Sequence, residues 1–193
     1  MVLEEYTTDI KPVNGMFAAT PYEAESIVSG LHVPARISEH IVKVESGYWE
    51  GEYAIVSKFG KVWFDAKGGL LHESGVYAYT DLKDLIQAVE GGIIAEIEEQ
   101  PETVNGIYLP EITKDQARAN GKIDPVIAHV RSANHVDGID CGMKILLRPK
   151  EGLRMTHYDL PLIPKGKTWV FLKPEYQGKR EVNISEVVLG VLE

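Results

Sequence analysis

One short pattern occurs twice in this chain and constrains its architecture more than any other feature. Gly30-Leu31-His32-Val33-Pro34 and Gly106-Ile107-Tyr108-Leu109-Pro110 share the form glycine, apolar, any residue, apolar, proline. The second copy lies in a polar run, with Glu98-Glu99-Gln100-Pro101-Glu102-Thr103 before it and Thr113-Lys114-Asp115-Gln116-Ala117-Arg118-Ala119-Asn120 after it. Polar flanks punctuated by glycine and proline read as a solvated loop. Such a loop cannot bury its own apolar triplet, which makes the triplet a candidate contact for a partner. Two copies also point to an internal duplication. The candidate partner-binding residues are Ile107, Tyr108 and Leu109, with Leu31, His32 and Val33 as a second set. The competing reading is an ordinary strand end tucked beneath a loop.

Composition narrows the class of partner. The net charge is −9, and both a nucleic-acid backbone and an anionic membrane call for a basic surface. The single cysteine, Cys141, precludes an intrachain disulfide framework and fits a reducing compartment. The start, Met1-Val2-Leu3-Glu4-Glu5, lacks the basic-then-apolar layout of a signal peptide. No apolar run approaches the roughly 20 residues of a membrane span. The expectation is a soluble, cytoplasmic protein.

Short apolar runs separated by turn residues predict an all-β barrel or sandwich. After a turn at Asn14-Gly15, a strand begins at Met16, and Pro21 ends it or places it at a sheet edge. Residues 22–38 read as the first loop. Strands are expected at Ile41–Val44, Gly51–Val56, Lys61–Phe64 and Gly75–Tyr79, with Gly68-Gly69 as a break. Asp81–Glu90 reads either as a short helix capped by Asp81 or as a closing strand from Leu85. Gly91-Gly92 marks a boundary between residues 10–90 and 91–193, too tight for a flexible linker, so the halves should touch. The second half repeats the order, with strands at Ile93–Ile97, Val126–Val130, Gly142–Leu147, Thr168–Leu172 and Val187–Leu192 and a polar turn over Ser132–Asp140. Gly142–Leu147 matches Gly51–Val56, Thr168–Leu172 matches Val76–Tyr79, and the closing run matches Asp84–Glu90. Each half is near the lower size limit for independent stability, so association between copies is expected.

This order of elements resembles the GroES co-chaperonin family. Ile10-Lys11-Pro12 resembles its amino-terminal motif, Gly106–Pro110 the tip of its mobile loop, Gly30–Pro34 a weaker second tip, and Gly51-Glu52 the Gly-Asp/Glu before its central strand. The resemblance covers nearly the whole chain, twice over. It implies two tandem irregular β-barrels and a homo-oligomeric ring, seven-membered or pseudo-symmetric. Such a ring caps a GroEL-type chaperonin, and that partner, not this chain, binds the ATP. The chain departs from the family in having one glycine before each triplet, Tyr108 and His32 at the middle positions, and little sequence for a roof hairpin.

Residue patterns for other chemistry are weak. His129 and His135 lack the neighbouring ligands of a zinc site and read as ordinary histidines. Cys141 has no catalytic signature and reads as a small buried hydrophobe. The glycine pairs lack phosphate-loop context, and Asp137–Asp140 lacks calcium-loop spacing. Glu96, Glu98, Glu99 and Glu102 read as a solvated strand edge and loop, and Trp49, Trp63 and Trp169 as core or interface anchors. No enzyme activity, metal or cofactor is expected. The leading expectation is a co-chaperonin. The alternative is a structural component of a phage head, such as a capsid cement, in contact with capsid proteins. A barrel domain of the alcohol-dehydrogenase kind is disfavoured because no nucleotide-binding half follows.

Overall fold

Several strands of this chain are apolar at consecutive positions, and the structure shows why: both of their faces are buried. The computed structural model describes residues 14–28, 31–46, 52–57, 61–65, 67–98, 103–104, 107–108, 126–148, 151–177, 180–182 and 184–192. In chain order the strands are β1 (Met16–Val28), β2 (Leu31–Ser46), β3 (Tyr53–Val56), β4 (Lys61–Asp65), β5 (Gly68–His72), β6 (Val76–Thr80) and β7 (Ile86–Ala88). They continue as β8 (Ile93–Ile97), β9 (Thr103–Val104), β10 (Ile107–Tyr108), β11 (Val126–Ala133), β12 (Lys144–Leu147) and β13 (Leu153–Thr156). The last are β14 (Thr168–Leu172), β15 (Glu175–Gln177), β16 (Arg180–Val182) and β17 (Val188–Leu192), the final strand being preceded by a single helical turn, α1 (Ile184–Val187). The fold is all-β, as expected, and no helix among the described residues is long and apolar enough to cross a membrane.

Two antiparallel sheets carry the fold, in the orders β4-β5-β1-β2-β3-β6-β7 and β13-β14-β8-β11-β12-β17, beside the small hairpins β9–β10 and β15–β16. The first six positions of the two orders are the same when only the strands of each sheet are numbered, in chain order. The registers agree as well. Tyr53↔Thr80, Ala54↔Tyr79, Ile55↔Ala78 and Val56↔Val76 are repeated as Lys144↔Leu192, Ile145↔Val191, Leu146↔Gly190 and Leu147↔Val188. Each set skips one residue on the outer strand, Tyr77 in the first and Leu189 in the second. A second bulge is also repeated: Glu45 is skipped between Val44 and Ser46, and Arg131 between Val130 and Ser132. Bulges re-aim a strand and are specific to a position, so two shared bulges are strong support for a structural repeat.

The match of Gly51–Val56 with Gly142–Leu147 is the β3–β12 equivalence. The other two strand matches differ from the sheet positions: β14 takes the place of β5, and β17 that of β6. Gly68-Gly69, expected between strands, instead opens the strand β5. A Cβ on Gly68 would lie 2.6 Å from the Ala19 carbonyl oxygen, so the close approach of β5 to β1 requires glycine there. Asp81 caps a turn, not a helix. Its Oδ1 accepts the N–H groups of Lys83, Asp84 and Leu85, and the closing strand β7 follows.

The first sheet curls strongly. β5 and β6 stand four strand spacings apart, about 19 Å on a flat sheet. The connection Glu73–Gly75 spans at most about 14 Å even when extended. Curling encloses Phe17, Ala19, Val42, Val44, Ala54, Val56, Leu71 and Val76 as one core. No pairing among the described residues joins β5 to β6, so the expected closed barrel is replaced by an open, curled sheet.

The reason lies on the opposite faces. Ile41 and Ile55 of the first sheet pack with Ile94, Trp169 and Phe171 of the second, and with Met155, Leu160 and Ile163 around them. The second sheet keeps its own core on its other face, with Ile93, Ala95, Val130, Ile145, Val170 and Leu172. Neighbouring residues therefore serve different cores, as Ile41 and Val42 or Phe171 and Leu172 do. The two sheets lie back to back, and the halves do touch. At their junction Ser132 Oγ accepts the Ala88 N–H (3.2 Å) and Asn134 Nδ2 donates to the Ala88 carbonyl (3.1 Å). The Gly91 N–H donates to the Asn134 carbonyl at 2.7 Å, with Gly91 at φ 73°, a conformation suited to glycine.

Candidate binding surface

Both apolar triplets begin at the same place in the repeat, between its first and second strands. In the first half Val28 pairs with Leu31, Ile27 with His32 and Ser26 with Val33. In the second, Val104 pairs with Ile107 and Thr103 with Tyr108. In both copies the innermost described pair joins a valine to the first apolar residue of the triplet, and the sequence between them reads x-Gly. Asn-Gly between apolar residues is a hairpin signal in a sequence, but the polar flanks pointed to a loop instead.

The two hairpins differ in length. Of residues 22–38, expected as a loop, 22–28 and 31–38 are strand: Glu23–Val28 and Leu31–Ile37 form a two-stranded ribbon. The ribbon runs beyond its neighbours, because β5 pairs with β1 only from Met16 to Ala19 and β3 pairs with β2 only from Ile41 to Lys43. Pro21 lies in strand where β1 has lost its β5 partner, which is the sheet edge it was expected to mark. The second hairpin has two pairs, and Leu109 lies outside the described residues, as do Ile10-Lys11-Pro12, Gly51, Trp49, Glu99 and Glu102.

A polar cluster stands at equivalent positions of the two main sheets. In the first half Thr20 donates its hydroxyl to Glu45 Oε1 at 2.8 Å, and Lys43 Nζ lies 3.3 Å from the same oxygen. In the second half the equivalent positions are Glu96, Arg131 and His129. Arg131 donates through Nε and Nη2 to Glu96 Oε2, the former at 3.1 Å. Trp169 Nε1 donates to the same oxygen at 3.3 Å, and Lys167 Nζ lies 3.5 Å from Oε1. The Arg131 guanidinium also lies 5.8 Å from the Trp169 ring centroid, within cation–π range. Next to this group, His129 Nε2 and Lys144 Nζ approach Glu98 Oε2 at 3.2 and 3.5 Å.

Glu96 was expected at a solvated strand edge. It lies instead on the central strand β8, with its side chain only 12% exposed. Burial alone would raise its pKa, but the hydrogen bonds and charge of Arg131, with Trp169 and Lys167, hold the carboxyl below the usual glutamate range. Cys141 is also corrected: it is exposed, its thiol donating to the Arg131 carbonyl at 3.1 Å, so it is not a core hydrophobe. Trp169 is a core anchor, 6% exposed. Among the described residues no group of three or more His, Cys, Asp or Glu side chains is arranged to hold a metal ion.

Chemically, the arrangement offers two strand pairs that begin with the apolar pattern and, on the two main sheets, charge-assisted hydrogen bonds at equivalent positions. Comparison with protein-family models and with curated proteins gives no match.

Proposed function

We propose that this chain is a non-enzymatic gripping protein that docks its hairpin tips into apolar grooves of a GroEL-type chaperonin and assists protein folding in the cytoplasm. The observation that supports this reading is that Leu31–Val33 and Ile107-Tyr108 lie at one equivalent point of a structural repeat, each on a strand that pairs with the strand before it. Leu31, His32 and Val33 form one contact set and Ile107, Tyr108 and Leu109 the other. A short apolar tip gives a weak contact by itself. Several tips presented together raise the affinity through effective concentration without new contacts. Weak single contacts also permit release in each ATP cycle of the partner.

The test is a pull-down of a purified chaperonin ring with nucleotide. Ile107→Ser with Leu109→Ser should reduce capture at least about tenfold, the scale expected on losing about 1.4 kcal/mol or more of apolar contact. Undiminished capture overturns the reading.

One observation favours a second reading, a structural component of a phage head seated on capsid proteins. The first tip rides on a long ribbon that is already paired, so it brings little ordering cost to a complex. A pre-ordered contact suits a permanent lattice better than cyclic release. Mass spectrometry of purified particles decides it: many copies per virion support the lattice role, and absence removes it.

A further inference from the structure

The repeat relation leaves one strand position without a counterpart. In the first sheet β7 covers the outer edge of β6, with Ala88, Gln87 and Ile86 opposite Ala78, Tyr79 and Thr80. The matching register on β17 is Gly190, Val191 and Leu192, and among the described residues no strand pairs with that edge. β17 reads Val-Leu-Gly-Val-Leu, five residues without charge or proline. Leu189, Val191 and Leu192 are 51%, 44% and 39% exposed. Beside them runs an open groove lined by Val136, Ile139, Pro174 and Ile184, where the second core reaches the surface. An exposed edge strand whose own residues carry neither charge nor proline is one that folded proteins otherwise keep covered.

We infer that β17 takes a seventh strand from a second copy of this chain, namely that copy's own β17. The template β7 runs antiparallel to β6. Antiparallel pairing of a strand with itself is what a two-fold axis generates, with the same patch on both subunits. Keeping the three positions that β7 covers places the axis at Val191: Val191 faces Val191 of the second copy, and Gly190 faces Leu192. All of these pairs are apolar, so the edge is complementary to itself. The two copies join their second sheets into one continuous sheet and close the groove from both sides. This inference stands independently of the chaperonin reading.

The test is the mass of the full-length protein by analytical ultracentrifugation over a concentration series. The expected species is twice the 21.4 kDa chain. Val191→Lys places two like charges opposite each other and should weaken association at least about 100-fold. Val191→Glu should do the same. Mixing the two variants should restore the pair, because only then do opposite charges meet at the axis. Ile37→Lys, a change at an exposed apolar residue of the ribbon, should leave the mass unchanged. A monomeric wild type, an odd stoichiometry, an assembly indifferent to Val191→Lys, or failure of the mixture to recover the pair each overturns the inference. Thermal unfolding of each variant separates lost association from lost folding.

Discussion

Arg131 occupies the bulge of β11 and closes on Glu96 of β8, the same relation that Glu45 of β2 has to Thr20 of β1. The chemistry differs, a guanidinium on a carboxylate against a carboxylate accepting a hydroxyl, but the position is shared. Both contacts link the first two strands of their sheet's repeat. A bulge residue is free of ladder pairing, so its side chain can reach across the neighbouring strand.

The Glu96 cluster should make stability depend on acid. Its folded pKa is depressed, so the native state binds fewer protons than the unfolded chain in that range. Its contribution is therefore full above the ordinary value of 4.5 and is lost as the pH falls through the folded value. Glu96→Gln should cost about 2 kcal/mol at neutral pH, the range for hydrogen bonds to charged groups. The difference between wild type and variant should shrink as the pH drops below that value. Urea unfolding across pH measures it, and a difference that stays constant contradicts the assignment.

The shared core predicts that the two halves unfold together. Phe171 is fully buried between the sheets. Phe171→Ala should destabilise the chain by about 3–5 kcal/mol. Hydrogen exchange should speed up in β3 as well as in β14, although β3 belongs to the other repeat. Loss of protection confined to the second sheet would show that the halves pack independently.

Two equivalent serines should respond differently to removal. Ser132 Oγ accepts the Ala88 N–H at the junction, whereas Ser46 Oγ is a buried oxygen without a hydrogen-bond partner in the structure. Ser132→Ala should cost about 1 kcal/mol, and Ser46→Ala should be neutral or stabilising within about 0.5 kcal/mol. Thermal melts of the two variants compare them directly; equal losses would contradict the contrast.

Much of the fold was legible in the sequence because the strands are short, β-branched and separated by turn residues. Tyr53–Val56 and Lys144–Leu147 could be matched by eye, and the sheet positions agree. The ribbon was not legible: Glu23, Glu25, Arg36 and Glu39 look like solvated loop, and the segment is strand because Glu23–Val28 pairs back onto Leu31–Ile37. The back-to-back packing was hidden for a different reason. A run such as Trp169-Val170-Phe171-Leu172 announces two buried faces but not what lies on each. The polar clusters left no local trace, since Glu96 meets Arg131 and Trp169 only after three strands assemble.

The apolar back of each sheet has a practical outcome for anyone dividing this protein. A cut at Gly91 would release two fragments, one baring Ile41 and Ile55 and the other Ile94 and Phe171. Neither is a portable module. The duplicated units now serve as each other's solvent shield, and a single hairpin cannot be transplanted with its own repeat alone as the mount.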